Sequence, residues 1–554
     1  RLLGLTAHRR LRSARGKLSV PALLATAQLA RRPSARSIML TVTVAVSLLS
    51  FAATAWDLAG HERQRRAQDE VGAARVYTVD AAGPQAVRNA VDRLDPSGRQ
   101  LMPAMQSDVV YADSTVPVLA VDPHRLPSVA AWSGLTTGQV RDLARRLPAR
   151  TAPVVRVHGP LQLTVHPSQV PDGRPMEVIA VLARPDQAPT EVELGELRAG
   201  RSTYRAALPQ CASGCQLTGL GLARYPGDFH QIAATVEITQ VRDGDRTLDL
   251  GLTRPDRWRV NHISASSDVR LSTTDDGLKV GYHSSEPADL VVDYASAPRG
   301  LPVVLAGGAP ADNPHSSQFT FPAFGDTPLP FDVAGRADVI PRAGRHALLV
   351  DLDSAQRVLA ARLDASDQAS FLYQVWAAPG APAGLADRLN AAGLTVQRTD
   401  SLSETRTALS RQAPGLALRL YLVAGVAALL LAVGAVLLGG YVGVRERLYD
   451  LAALHAAGIG GADLARAVRR EYRILLGVPL LTGLLVGAAS SVLLLPSLHL
   501  VTSNDSGAHR VYQLGPYWVP GAVLATVLAL AVAAGLMTRM LRRVGPERLR
   551  NGAR

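Results

Sequence analysis

The sequence predicts a membrane α-helical protein. Four transmembrane helices, arranged one plus three, would carry a large extracytoplasmic α+β domain with an inserted, jelly-roll-like β-sandwich. Three observations lead there. Four apolar stretches, Ser37 to Trp56, Leu416 to Val444, Ile474 to Pro496 and Pro516 to Met540, are each long enough to cross a bilayer. A helix rises about 1.5 Å per residue, so about 20 apolar residues span the hydrocarbon. Basic residues collect at alternate flanks of these stretches, and the long interval between the first and second reads as folded, non-membrane protein.

Residues 1–36 carry nine Arg or Lys and no acid. Within them Pro21 to Arg32 has apolar residues at helical spacing, which suits an amphipathic helix lying at the inner membrane surface. Residues 37–57 form the first span, and no small-residue cleavage site follows it, so it reads as a retained helix. The charged stretch His61 to Val71 prolongs that helix outward.

Cytoplasmic flanks are enriched in Lys and Arg. With the N-terminus inside, four crossings place 445–473 and the 541–554 tail inside too, and 497–515 becomes a short external loop. Residues 445–473 hold six Arg against four acids, and the chain from Arg539 holds six Arg against Glu547. These segments together exceed the net +13 of the whole chain, so the large domain is net negative and falls outside. The basic balance is thus a topology signal. A nucleic-acid arm would bring aromatic or helix-turn-helix patterning, which is absent, so no nucleic-acid partner is expected.

Residues 58–151 alternate strand and helix patterns: strands at Arg75 to Val79, Asp108 to Tyr111 and Val116 to Val121, helices at Pro84 to Leu94 and Thr137 to Leu147. From 152 to 298 about ten short β-prone runs recur between Gly, Pro and Asp turns, from Leu161 to Val165 through Leu290 to Tyr294, with no convincing helix. That pattern predicts a β-sandwich. Helix and strand mix again over 299–412, with strands at Val303 to Leu305, Phe331 to Gly335 and Ala347 to Asp351, and a β-α-β unit at Gln374 to Gln397. The sandwich is therefore expected as an insertion between two halves of one α+β domain.

The only cysteines, Cys211 and Cys215, flank Ala212-Ser213-Gly214. Outside the membrane thiols oxidise, so a disulfide stapling a β-turn is expected. A metal site would need more ligands, and a redox dithiol would prefer Cys-x-x-Cys. Gly439-x-x-x-Gly443 and Gly483-x-x-x-Gly487 allow close helix approach, either within the bundle or as a dimer seam. His158, His166, His230 and His283 are scattered among strands. Tyr204, Tyr225, Phe229, Trp258 and Tyr282 suit either sandwich packing or a sugar-stacking face. No zinc-protease, nucleophile-elbow or cofactor motif occurs, so a non-catalytic membrane subunit without a cofactor is expected.

The most informative short segment begins Arg445-Glu446-Arg447-Leu448-Tyr449-Asp450-Leu451 and continues past Leu454. Leu448, Leu451 and Leu454 recur every third residue, so the second membrane helix runs on into the cytoplasm as an amphipathic helix. Gly458, Gly460 and Gly461 break it. Asp463 then starts a new helix through Leu464, whose far end carries Arg466, Arg469, Arg470 and Arg473, as the helix dipole favours. Such a helix-turn-helix bracket has apolar residues with no lipid to cover them, and suits a docking partner.

Here the chain resembles the FtsX-like, MacB-type permeases of ABC transporters. Their inner loop reads roughly Arg-x-x-Glu-Leu-Ala-x-Leu-x-Ala-Leu-Gly-Ala, and Asp450-Leu451-Ala452-Ala453-Leu454-His455-Ala456-Ala457-Gly458 fills that pattern, with Asp450 for the usual Glu and Ala457 for the usual Leu. Leu301 to Leu305 and Val350 to Leu352 are similar to the family's extracytoplasmic core, while 152–295 is poorly covered. The resemblance implies that 445–473 couples to a separate cytoplasmic ABC ATPase, and that helix motion passes to the outer domain. It also implies a second permease half or copy as partner, this chain being the C-terminal unit of a longer duplicated protein. No phosphate-binding loop occurs; Arg15-Gly16-Lys17-Leu18 lacks the leading Gly and the hydroxyl. The competing reading is a membrane-anchored sensor whose sandwich binds an envelope glycan, without an ATPase.

Overall fold

The computed structural model describes residues 33–111, 114–171, 175–184, 187–225, 230–260, 267–284, 289–310, 313–324, 328–360, 371–442, 461–495 and 518–544. The chain divides into two compact units, residues 65–405 and the helical remainder.

Helix α1, Pro33–Val71, continues without a break from apolar sequence into charged sequence. It stops at Gly72, whose φ of +84° is the left-handed conformation that ends many helices. A Cβ there would meet the Trp376 ring at 2.7 Å, so the position is closed to larger residues.

The chain then forms β1 (Arg75–Asp80), α2 (Pro84–Leu94), β2 (Leu101–Tyr111), β3 (Ser114–Val121), α3 (Leu126–Val129) and α4 (Thr137–Arg146). Pro84 at its first turn lacks an amide that the helix would leave unbonded anyway, and Val87, Ala90 and Val91 bury one face of α2. Thr136 and Gln139 form a reciprocal capping box on α4. Strand β2 begins seven residues before the expected Asp108 because Pro103 is tolerated: the β3 ladder starts only at Ala104, so the missing amide is not needed on that side.

Twelve strands follow among the described residues. They are β4 (Arg156–Val157), β5 (Leu161–Gln169), β6 (Met176–Ala183), β7 (Thr190–Glu196), β8 (Ser202–Ala206), β9 (Cys215–Arg224), β10 (Ile232–Asp243), β11 (Arg246–Thr247), β12 (Trp258–Val260), β13 (Ser267–Thr273), β14 (Leu278–Ser284) and β15 (Leu290–Tyr294). One sheet has the order β13-β14-β10-β5-β8 with β11 beside β10, the other β12-β15-β9-β6-β7 with β4 beside β9. All their pairings are antiparallel. Alternate residues of both sheets, such as Leu161, Leu163 and Val165 from β5 and Val178, Ala180 and Leu182 from β6, meet in one apolar core.

The remaining soluble elements are β16 (Leu301–Ala306), β17 (Gln318–Phe321), β18 (Leu329–Ala337), β19 (Ala347–Asp351), α5 (Leu352–Ala360), β20 (Leu372–Ala377), α6 (Leu385–Ala391), β21 (Thr395–Ser401) and α7 (Leu402–Arg411). With β1 to β3 they build a nine-stranded mixed sheet ordered β17-β18-β16-β19-β3-β2-β20-β1-β21. The strands β20 and β21 flank β1, both antiparallel to it, so the β20-α6-β21 unit is split by β1. Helices cover both faces. Val87 and Val91 of α2, Val358 of α5 and Leu389 of α6 pack on one, and Leu126 of α3 and Val140 of α4 on the other. This three-layered mixed α/β region and the two-sheet unit both lie within residues 65–405.

The last helices are α8 (Ala413–Val442), α9 (Gly461–Leu494) and α10 (Trp518–Val544). Among the described residues three helical stretches are long and apolar enough to cross a membrane: Arg36–Val71, Ala413–Val442 and Arg470–Leu494. In α10 the apolar stretch among the described residues is Pro520–Leu536. Leu420, Leu431, Leu485 and Leu493 stand more than two-thirds exposed on these helices, an apolar surface that water would not favour.

Candidate functional site

The helical unit holds a seam of small residues. A Cβ at Gly483 would stand 2.7 Å from Val46 Cβ and 2.9 Å from the Thr43 carbonyl oxygen; one at Gly487 would stand 2.9 Å from Ser50 Cβ and 3.0 Å from the Ser47 carbonyl oxygen. Backbone of α9 therefore lies directly on α1, which only glycine permits. On α8, a Cβ at Gly439 would press on Ile38 and one at Gly425 on the Leu49 backbone. Gly439, Gly483 and Gly487 thus serve contacts within the chain, while Gly443 lies outside the described residues. Thr43 and Thr482 bring hydroxyls to 3.5 Å across the same seam.

Most of the expected coupling bracket, Arg445, Glu446, Arg447, Leu448, Asp450, Leu451, Leu454 and Gly458, lies outside the described residues, as does the expected helix at Pro21 to Arg32. The backbone of Leu464 belongs to α9.

In the 65–405 unit, the point where α1 ends is pinned from several sides. The last turn of a helix leaves carbonyls unbonded. Here the Arg342 amide donates to Asp69 O at 2.6 Å, Ala131 N donates to Gly72 O at 2.8 Å, and Leu402 N donates to Ala74 O at 3.0 Å. Ser133 Oγ donates to the Asp69 carboxylate. Arg342 holds a left-handed backbone at φ 66°, the one non-glycine residue with positive φ among the described residues. Its guanidinium pairs with Asp400 at 2.8 Å, just before α7. Burial would raise the Asp400 pKa, but hydrogen bonds and charge from Arg398 and Arg342 outweigh it and lower the pKa. The exit from α1 and the entry to α7 are therefore joined through one arginine.

A second arginine secures the two-sheet unit. Arg357 of α5 donates from Nη1 to Thr151 Oγ1 at 2.9 Å, to Ala152 O at 3.1 Å and to Ser296 O at 3.5 Å. Its Nε donates to Asp353 at 2.8 Å. The two strands of chain entering and leaving the unit also bond directly, Ala152 N donating to Ala295 O at 2.9 Å. Asp351 orders the start of α5 by accepting from Ser354 N and Oγ; burial raises its pKa against those bonds.

Cys211 and Cys215 form a disulfide, both side chains buried in the core between the two sheets. Gly214 closes the turn at φ +96° beneath the His158 ring. On β15 of the same unit, burial raises the carboxyl pKa of the part-buried Asp293 to about 7, opposed by Arg259 on the neighbouring strand. Of the aromatic residues considered for sugar stacking, Tyr204, Trp258 and Tyr282 are buried in the core and offer no free ring face, and Tyr225 is exposed. Phe229 lies outside the described residues. Among the described residues no group of three His, Cys, Asp or Glu side chains could hold a metal ion.

Sequence reasoning singled out neither Arg342 nor Arg357. The chain contains many arginines, and the partners of these two lie up to 273 positions away in sequence. A scan against known families finds no match to the chain, and a search of curated proteins finds none.

Proposed function

We propose that this chain is the membrane (permease) subunit of an ABC transporter or mechanotransmission complex of the FtsX-like, MacB-type kind. In this reading α10 is the fourth span and the 65–405 unit lies on the extracytoplasmic side. A separate cytoplasmic ATPase docks on the 445–473 bracket, and the chain itself is not an enzyme. The observation that carries the reading is the continuity of α1. It runs unbroken from apolar sequence into the 65–405 unit and ends on a fixed seat beside β1, where Arg342 also holds the chain entering α7.

Both connections from apolar helices thus enter at one end of the nine-stranded sheet, where β1 and β21 are neighbours. The burial of Tyr204, Trp258 and Tyr282 gives the glycan-sensor alternative no aromatic platform from those residues. The test is retention of an ATP-hydrolysing partner by the full chain in membranes, compared with a Leu451→Asp, Leu454→Asp variant. The variant is expected to lose the partner while still inserting.

A further inference from the structure

Helices α9 and α10 leave a groove of about 400 Å³ between them, a volume within the range of small-molecule sites. Leu476 and Leu480 of α9 and Val527 and Leu530 of α10 line it. It exists because residues that could fill it are small: Gly477 and Gly535 have open space where a Cβ would stand. Helix α10 packs more closely on α8 than on α9, so the described residues do not close the gap. One lining residue differs in kind. Arg473 is exposed and has no carboxylate partner among the described residues. Arg470, about one turn before it, and Arg539, about one turn after Gly535, are also exposed. With alternate crossings, the start of α9 and the end of α10 fall at the same membrane face.

An apolar slot with one guanidinium in its lining, at a membrane surface, matches an amphiphile with an acyl chain and an anionic head. Guanidinium forks bind phosphate oxygens in pairs, and basic sites between membrane helices select acidic headgroups. We propose that an anionic phospholipid occupies this groove, one acyl chain against Leu476 and Leu530 and its phosphate against Arg473. An apolar helix of another chain would fill the slot but leave Arg473 without a counter-charge. The proposal rests on the four-span reading above, and is independent of the ATPase.

The full chain, purified in mild detergent and titrated with phosphatidylglycerol or phosphatidylcholine, can be read by native mass spectrometry. The wild type is expected to bind phosphatidylglycerol about fivefold more tightly, the order of one Arg contact at a charged surface. Arg473→Gln should erase that preference while still binding lipid, and Ala534→Phe should lower binding of both lipids. Equal affinity in the wild type, or an unchanged preference in Arg473→Gln, overturns the proposal. A lipid-free dimer also overturns it and assigns the groove to a second copy. Failure of the chain to partition into membranes would remove the four-span reading and the lipid site together, whereas loss of lipid preference with an ATPase still retained removes the lipid site alone.

Discussion

The Arg342 guanidinium sits 2.8 Å from the Asp400 carboxylate while its own amide caps the Asp69 carbonyl at the end of α1. One residue therefore ties the end of the first long helix to the segment leading into the next. Arg342→Gly keeps the left-handed backbone, since glycine adopts φ 66° without penalty, but removes the ion pair. Its expected cost is about 1–2 kcal/mol, because the pair is only partly buried. In the mechanotransmission reading it should also separate ATP turnover from function. Thermal unfolding of the full chain in detergent and a coupled activity assay would check both.

Gly72 tests the same seat from the other side. Gly72→Ala adds a Cβ at a left-handed position and presses it into the Trp376 ring. A loss of at least about 1 kcal/mol is expected. Proteolysis near residues 65–75, faster than in the wild type, would report it.

The glycine seam gives a paired comparison. Gly483→Ala and Gly487→Ala place a methyl group within 3 Å of α1 atoms and should cost about 1–3 kcal/mol in detergent-solubilised stability. Gly434→Ala meets nothing within 4 Å and should be neutral, or stabilising by up to about 1 kcal/mol through helix propensity.

The Cys211–Cys215 disulfide closes a short loop. Loop-closure entropy for so few residues amounts to about 2 kcal/mol. Cys211→Ser with Cys215→Ser should lower stability by about that amount, measured as the shift in denaturant midpoint, and reduction should do the same where the buried bond is reached.

Asp293 gives a pH dependence. Its native pKa of about 7 exceeds the value near 3.9 of an unfolded aspartate, so the native state holds the proton more tightly. This contribution to stability is full below about pH 4, falls as pH rises towards about 7, and is constant above. Asp293→Asn should flatten the unfolding free energy over that window. Denaturant titrations at pH 5 and pH 8 would show it.

Much of the secondary structure was legible because local chemistry decides it. Alternation at Leu161, Leu163 and Val165 marks a strand with one buried face, and Pro84 before Val87, Ala90 and Val91 marks a helix start. Helix α5 was not visible, because it follows β19 without a turn residue. Asp351 ends the strand and caps the helix through its own side chain. Strand β17 is four residues long and too short to show a period. Strand β2 starts seven residues before Asp108, and its Pro103 fits a strand because the β3 ladder begins only at Ala104. The Arg342 and Arg357 contacts depend on partners far away in sequence, so no local pattern could reveal them.

In the proposed function a separate ATPase drives this chain through residues 445–473. The direct measurement is ATP hydrolysis by protein retained on the membrane-inserted full chain, wild type against Leu451→Asp with Leu454→Asp. Turnover is expected to co-purify with the wild type and to fall at least about tenfold in the variant, as loss of an apolar contact pair at an interface implies. No nucleotide-hydrolysing partner on the wild type, or equal turnover on both, would contradict it.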